Sequence, residues 1–151
     1  MQPGRDSLRG KQIVVVENET IARDPDPERA TVIRRMRLAV GREWGEDYGA
    51  GQFVMLRVDA QGERIPLTVA DYDADDGVLT LVYQVVGATT RALAALPTGG
   101  VIEDVTFPLG RGIDLSPPDP LRNIAIVVGG GIGVVPSHAK AKALAAAGYR
   151  V

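Results

Sequence analysis

Along roughly the first hundred residues, apolar and polar positions alternate in short runs, the period expected of strands with one buried face. Glycine, proline and aspartate close these runs. Residues 13–16 are a β-branched run, and residues 31–40 alternate loosely. Between 53 and 58, Phe53, Met55 and Arg57 share one face while Val54, Leu56 and Val58 share the other. Residues 78–86, dense in Val, Leu, Thr and Tyr, carry the strongest strand signal. With loops at 41–51 and 71–77 between them, strands spaced this closely predict an antiparallel barrel or sandwich. Residues 89–96 break the pattern as a short helix ended by Pro97 and Gly99, and residues 101–107 resume a strand.

The pattern changes after Asp114. Pro117, Pro118 and Pro120 cannot continue a ladder, so the reading divides the chain into units 1–115 and 116–151. Residues 124–128 are a continuous apolar run, as in a strand buried on both faces. A glycine turn and a helix over 134–147 follow, Gly148 ends that helix, and residues 149–151 open another strand. One strand and one helix cannot bury both faces of a parallel sheet. The chain is therefore expected to be part of a longer polypeptide or to complete itself with a partner.

Composition narrows the chemistry. Net charge is −2, without the basic footprint of a nucleic-acid binder, so no nucleic-acid partner is expected. There is no cysteine and a single histidine, His138, which removes disulfides, thiol catalysis, iron-sulfur ligation and the usual Cys/His zinc sites from these residues. No metal site is expected. No stretch approaches the roughly 20 apolar residues of a membrane span, and residues 1–10 carry no apolar targeting segment. A soluble, cytoplasmic protein without membrane attachment is the expectation.

Three segments carry candidate chemistry. Gly129, Gly130, Gly131 and Gly133 lie between an apolar strand and a helix, where glycines admit close approach of a phosphate to backbone N–H groups. Glycines are also common at any strand-to-helix turn, and the spacing is not GxGxxG. Gly87, Thr89 and Thr90 lie at the start of the short helix, where hydroxyl and backbone donors suit a pyrophosphate; Thr89 as a simple N-cap is the alternative. Arg64, followed by Pro66, Leu67 and Thr68, offers a forked charged donor and a hydroxyl four residues on; otherwise Arg64 is a solvated strand residue. The acidic run at 71–77 fails as a calcium loop, because Asp76 stands where glycine is needed and Val82 where glutamate is needed. It reads as a hairpin turn, and His138 as a helix-surface residue.

Taken in order, YGAGQFVMLR (48–57), RIPLTVADYD (64–73), YQVVGATT (83–90), PLG (108–110) and GGGIG (129–133) resemble the ferredoxin-NADP reductase superfamily. Within it the likeness is to the small FAD-carrying subunits of NADH-dependent ferredoxin:NADP oxidoreductase and to dihydroorotate dehydrogenase electron-transfer subunits. The resemblance implies a six-stranded antiparallel FAD-binding barrel followed by a truncated NAD(P)-binding Rossmann-like domain. It implies that Arg64 meets the FAD phosphates and that Thr68 lies at flavin N5 as the catalytic contact. Pro66 and Leu67 would line the ring, with Val82, Tyr83 and Gln84 along flavin and ribose. Gly87, Thr89 and Thr90 would hold the pyrophosphate, and Gly129 to Gly133 would sit near the nicotinamide.

Hydride would pass from NAD(P)H to FAD and electrons onward to iron-sulfur centres, with a larger iron-sulfur flavoprotein subunit or ferredoxin as partner. The family's [2Fe-2S] cysteines are absent here. Ala50 replaces a usual proline, Leu67 replaces the flavin-stacking aromatic of distant relatives, and Phe107 replaces a common glycine. The other reading is a non-catalytic FAD-binding or docking module.

Overall fold

The computed structural model describes residues 13–26, 31–44, 47–116 and 123–151. The elements are β1 (Ile13–Arg23), β2 (Val32–Ala39), β3 (Phe53–Arg57), β4 (Ile65–Asp73), β5 (Val78–Gln84), α1 (Ala88–Ala95), β6 (Val101–Ile102), β7 (Asp104–Leu109) and α2 (Val134–Ala146). Single 3-10 turns occur at Arg42–Trp44 and Gly131–Gly133.

The strands form one antiparallel sheet in the order β6-β1-β2-β5-β4-β3-β7. Its outermost members, β6 and β7, are separated only by Glu103, whose N–H donates to Val58 O at 3.2 Å. The sheet therefore curls until its ends meet, nearly closing a barrel and leaving little free edge. Among the described residues seven strands are present where six were expected, because the run at 101–107 breaks at Glu103 into two strands with different neighbours. β1 also outruns its expected four residues. Its ladder with β2 continues to Arg23↔Val32 through two irregularities, so polar residues 17–20 are held by pairing rather than by apolar pattern.

Alternation fills the interior. Val54 and Leu56 are fully buried on β3 as their period requires, alongside Met36 and Leu38 from β2 and Leu79 and Leu81 from β5. Leu93 of α1 is fully buried in the same core, so the helix is anchored to the barrel by a side chain worth about 2 kcal/mol on burial. Trp44, Tyr48, Tyr72 and Phe107 pack as tilted rings with centroids 5.8 to 6.3 Å apart.

The acidic run is a hairpin turn. Asp73 Oδ1 accepts the N–H groups of Asp75 and Asp76 at 3.0 and 3.1 Å, and Gly77 adopts φ +65. A Cβ at Gly77 would stand 2.6 Å from the Gly41 carbonyl carbon, which explains glycine there on two counts.

Pro117, Pro118 and Pro120, on which the expected boundary rests, lie outside the described residues. Beyond them, Ile124 forms a parallel bridge with Arg150, with α2 in between. The run 124–128 is not buried on both faces: Ile126 is 87% and Val128 86% exposed, while Ala125 and Val127 are half-buried. Among the described residues no neighbouring strand covers the open face. α2 docks through buried Val135 and Ala139, and Lys142 pairs with Asp71 at 2.8 Å. His138 is exposed on the surface of α2, as expected from the sequence. Among the described residues, no helix is long and apolar enough to cross a membrane.

Candidate functional site

A groove opens where two strands part. The β4–β5 ladder runs from Asp73↔Val78 back to Val69↔Leu81 and stops. Before that point β4 stays with β3, from Phe53↔Thr68 to Leu56↔Ile65, while β5 stays with β2, through Arg35↔Val82 and Ile33↔Gln84. Backbone groups that would have joined the two strands turn toward the gap. Val69 N–H donates to Gln52 O at 3.1 Å, so by strand alternation the Thr68 N–H points the other way, toward the groove. Pro66 costs no ladder bond there, because that side of β4 has no partner.

The groove encloses about 420 Å³. One wall is Ile65, Pro66, Leu67 and Thr68, and the floor is Val82, Tyr83, Gln84 and Val86. Thr90 of α1 closes one side, and Ile132, Gly133, Val135 and Pro136 face it from the glycine turn and α2. The structure thus brings together Pro66, Leu67, Thr68, Val82, Tyr83, Gln84, Thr90 and Gly133 from the residues singled out in the sequence.

The first turn of α1 differs from expectation. Gly87, not Thr89, is the N-cap, and it offers no side chain to the helix. Thr90 Oγ1 accepts from the N–H groups of Val86 and Gly87, at 3.0 and 2.9 Å, and donates to Gly87 O at 3.1 Å. Its hydroxyl is therefore spent on shaping the turn. A Cβ at Gly87 would meet nothing within 4 Å, so open space borders the start of α1, whose first turn has no side-chain cap.

Arg64 stands outside the groove lining, its guanidinium paired with Asp104 Oδ2. Gly129 also lies outside it: a Cβ there would stand 2.5 Å from Ser137 Oγ, which bonds Gly133 O at 2.9 Å and Val128 O at 3.1 Å. Gly130 and Gly131 have open space around them. Tyr83 is 2% exposed, and its Oη has no hydrogen-bond partner. Burial pushes its hydroxyl up to about 12, against the lowering effect of nearby Arg34.

Sequence reasoning missed Ile65, Val86, Ile132, Val135 and Pro136 as lining, and Asn18, Arg34 and Asp104 as supports. The supports act on residues 40 to 78 positions away, and no local spacing marks such pairs.

The donor set fits FAD. A slot lined mostly by apolar side chains with a free Thr68 N–H suits a flat heteroaromatic ring, and the uncapped start of α1 suits a pyrophosphate.

No family model matches the chain. It is 42% identical over 103 residues to the Thermotoga maritima protein described as a dihydroorotate dehydrogenase B (NAD(+)) electron transfer subunit homolog, covering 67% of this chain and 34% of that one. With the Listeria monocytogenes dihydroorotate dehydrogenase B (NAD(+)) electron transfer subunit it shares 37% over 107 residues, 70% of this chain and 41% of the relative. Among solved structures, an NADH-dependent reduced ferredoxin-NADP oxidoreductase superposes with TM-score 0.76 and 31% identity over 98% of this chain and 47% of that one. Phthalate dioxygenase reductase, at 20% identity and TM-score 0.66, covers 92% of this chain and 40% of its own, and shares the fold.

Barrel, groove and likenesses together show a chain similar in fold and sequence to proteins of the ferredoxin-NADP reductase superfamily. Its relatives within that superfamily are the electron-transfer subunits of dihydroorotate dehydrogenase B and the NADH-dependent ferredoxin-NADP oxidoreductase. The chain spans less than half the length of each of the proteins compared.

Proposed function

We propose that this chain is the FAD-carrying part of a flavoprotein electron-transfer subunit that takes reducing equivalents from NAD(P)H and passes electrons to an iron-sulfur or ferredoxin-type partner. The observation that carries this reading is the parting of β4 and β5 beside the uncapped start of α1. FAD, when bound, supplies the change from two-electron to one-electron chemistry.

This chain's own residues bind and orient. Pro66 and Leu67 supply apolar surface for one side of the ring, and Val82 and Gln84 continue it along the floor. The Thr68 N–H and hydroxyl donate at the ring's polar edge, and residues 87–90 present backbone N–H groups to phosphate oxygens. In this reading residues from 116 onward begin an NAD(P)-binding unit, with Gly130 and Gly131 as the open backbone against which a nicotinamide ring lies. With no cysteine in the chain, an iron-sulfur centre has to be held by other residues.

The test is reconstitution. Incubated with FAD and passed through gel filtration, the chain is expected to elute yellow with flavin absorbance at its own peak. A colourless peak that takes up no FAD overturns the proposal. The 36 to 42% identity with dihydroorotate dehydrogenase B subunits favours, as a second reading, a partner that oxidises dihydroorotate. Oxidation of the NAD(P)H-reduced flavin by ferredoxin supports the first reading, and flavin reduction by a dihydroorotate-oxidising partner supports the second.

A further inference from the structure

The strongest support outside the groove is a polar cluster at the far end of α1. Asn18 Nδ2 donates to three carbonyls of the last turn, Leu93 O at 3.0 Å, Ala94 O at 3.3 Å and Leu96 O at 2.8 Å. Arg34 Nη2 donates to Ala94 O at 3.2 Å and to Asn18 Oδ1 at 2.8 Å, and Nη1 reaches Thr20 Oγ1 at 2.8 Å. The acceptors that Arg34 meets here are all uncharged, so its positive charge falls at the helix end where carbonyl dipoles converge. A helix of eight residues is too short to hold its own direction, so these contacts and buried Leu93 fix its C-terminal end, while Thr90 ties its first turn to residues 86 and 87. Thr90 lines the groove. Tyr83, directly opposite Arg34 in the β2–β5 ladder, also lines it, and its buried Oη lacks a partner.

We infer that Asn18 and Arg34 are positioning residues that clamp the C-terminus of α1 to β1 and β2 and thereby hold its N-terminal N–H groups in register for a flavin nucleotide's phosphate. This rests on the FAD reading above. A clamp of this kind affects the phosphate-bearing end of the ligand and leaves the ring slot intact, so its effect has a chemical signature.

The test compares FAD, FMN and riboflavin binding to wild-type, Arg34→Gln, Arg34→Lys and Asn18→Ala chains by flavin fluorescence, with hydrogen exchange of the ligand-free chains alongside. Arg34→Gln and Asn18→Ala are expected to weaken FAD and FMN by about fivefold or more relative to riboflavin, the scale of a helix-terminus contact. Arg34→Lys should recover part of the loss. Amides of α1 should exchange faster in Arg34→Gln and Asn18→Ala than in wild type. Equal loss for all three flavins would reveal a merely structural role, and no loss for any would overturn the clamp. A wild-type chain that binds none of the three defeats the FAD reading, and unchanged α1 exchange in the variants then defeats the clamp independently.

Discussion

Arg64 and Asp104 form an ion pair across β3, joining the start of β4 to the start of β7. The side chain of Asp104 is only 5% exposed, and Arg57 of the intervening strand approaches the same oxygen at 3.8 Å. Its other oxygen, Oδ1, is buried without a partner, so Arg64 and Arg57 carry the whole compensation for this carboxylate. Arg64 was singled out in the sequence for a ligand phosphate. In the structure its guanidinium is committed to a neighbour forty residues away.

Arg64→Ala is therefore expected to reduce stability as well as any FAD affinity, because it leaves a buried carboxylate with one distant cation. With Arg64 39% exposed and partly screened, the expected cost is about 1 to 2 kcal/mol, below that of a fully buried pair. Urea denaturation of the ligand-free chain measures it. A midpoint equal to wild type would show that Arg64 contributes nothing to the fold.

Thr68→Val keeps the shape of the side chain and removes the hydroxyl. If that hydroxyl bonds the flavin's polar edge, FAD binding weakens by about 1 kcal/mol, and the backbone N–H contact survives. Isothermal titration with FAD decides this, and an affinity unchanged from wild type excludes the hydroxyl.

Gly129 and Gly130 are expected to separate structural from ligand roles. Gly129→Ala forces a methyl against Ser137 and should lower stability by about 1 to 3 kcal/mol, whereas Gly130→Ala enters open space at φ −134 and should stay within about 0.5 kcal/mol of wild type. Thermal melts of both variants check this. Comparable losses would show that the glycine turn is packed differently.

Tyr48 and Tyr83 both have hydroxyls pushed up to about 12 by burial, from an ordinary value of 10.0. The unfolded chain then loses these protons at lower pH than the folded one. Their contribution to stability should be level below about pH 10 and fall between about pH 10 and 12, as the unfolded state alone ionises. Tyr83→Phe removes a buried hydroxyl without a partner, so it should leave neutral-pH stability unchanged or up to about 1 kcal/mol higher and soften the alkaline loss. Denaturant midpoints across that range test both statements. A Tyr83→Phe chain much less stable at neutral pH would show that Oη is bonded after all.

Alternation at 53–58 and the dense run at 78–86 were legible without the structure, since they dictate which side chains must leave water, and those side chains form the core. The sequence by itself also marked most of the groove, because Pro66 to Thr68 and Val82 to Gln84 lie on short stretches with a recognisable order, and it excluded cysteine chemistry by simple absence of ligands. Tertiary structure alone decided that β4 and β5 separate at Val69, since nothing local to either strand says where a ladder with a neighbour must stop. It decided that Thr90 shapes its own turn, that Gly129 yields space to Ser137, and that Arg64 faces Asp104. It also decided that Asn18 and Arg34 reach α1 across 60 to 78 residues. The physical reason is the same in each case: a hydrogen bond or close contact between distant segments is set by how the barrel curls, and local residue patterns record only the period of each strand, not the distance to its eventual partner.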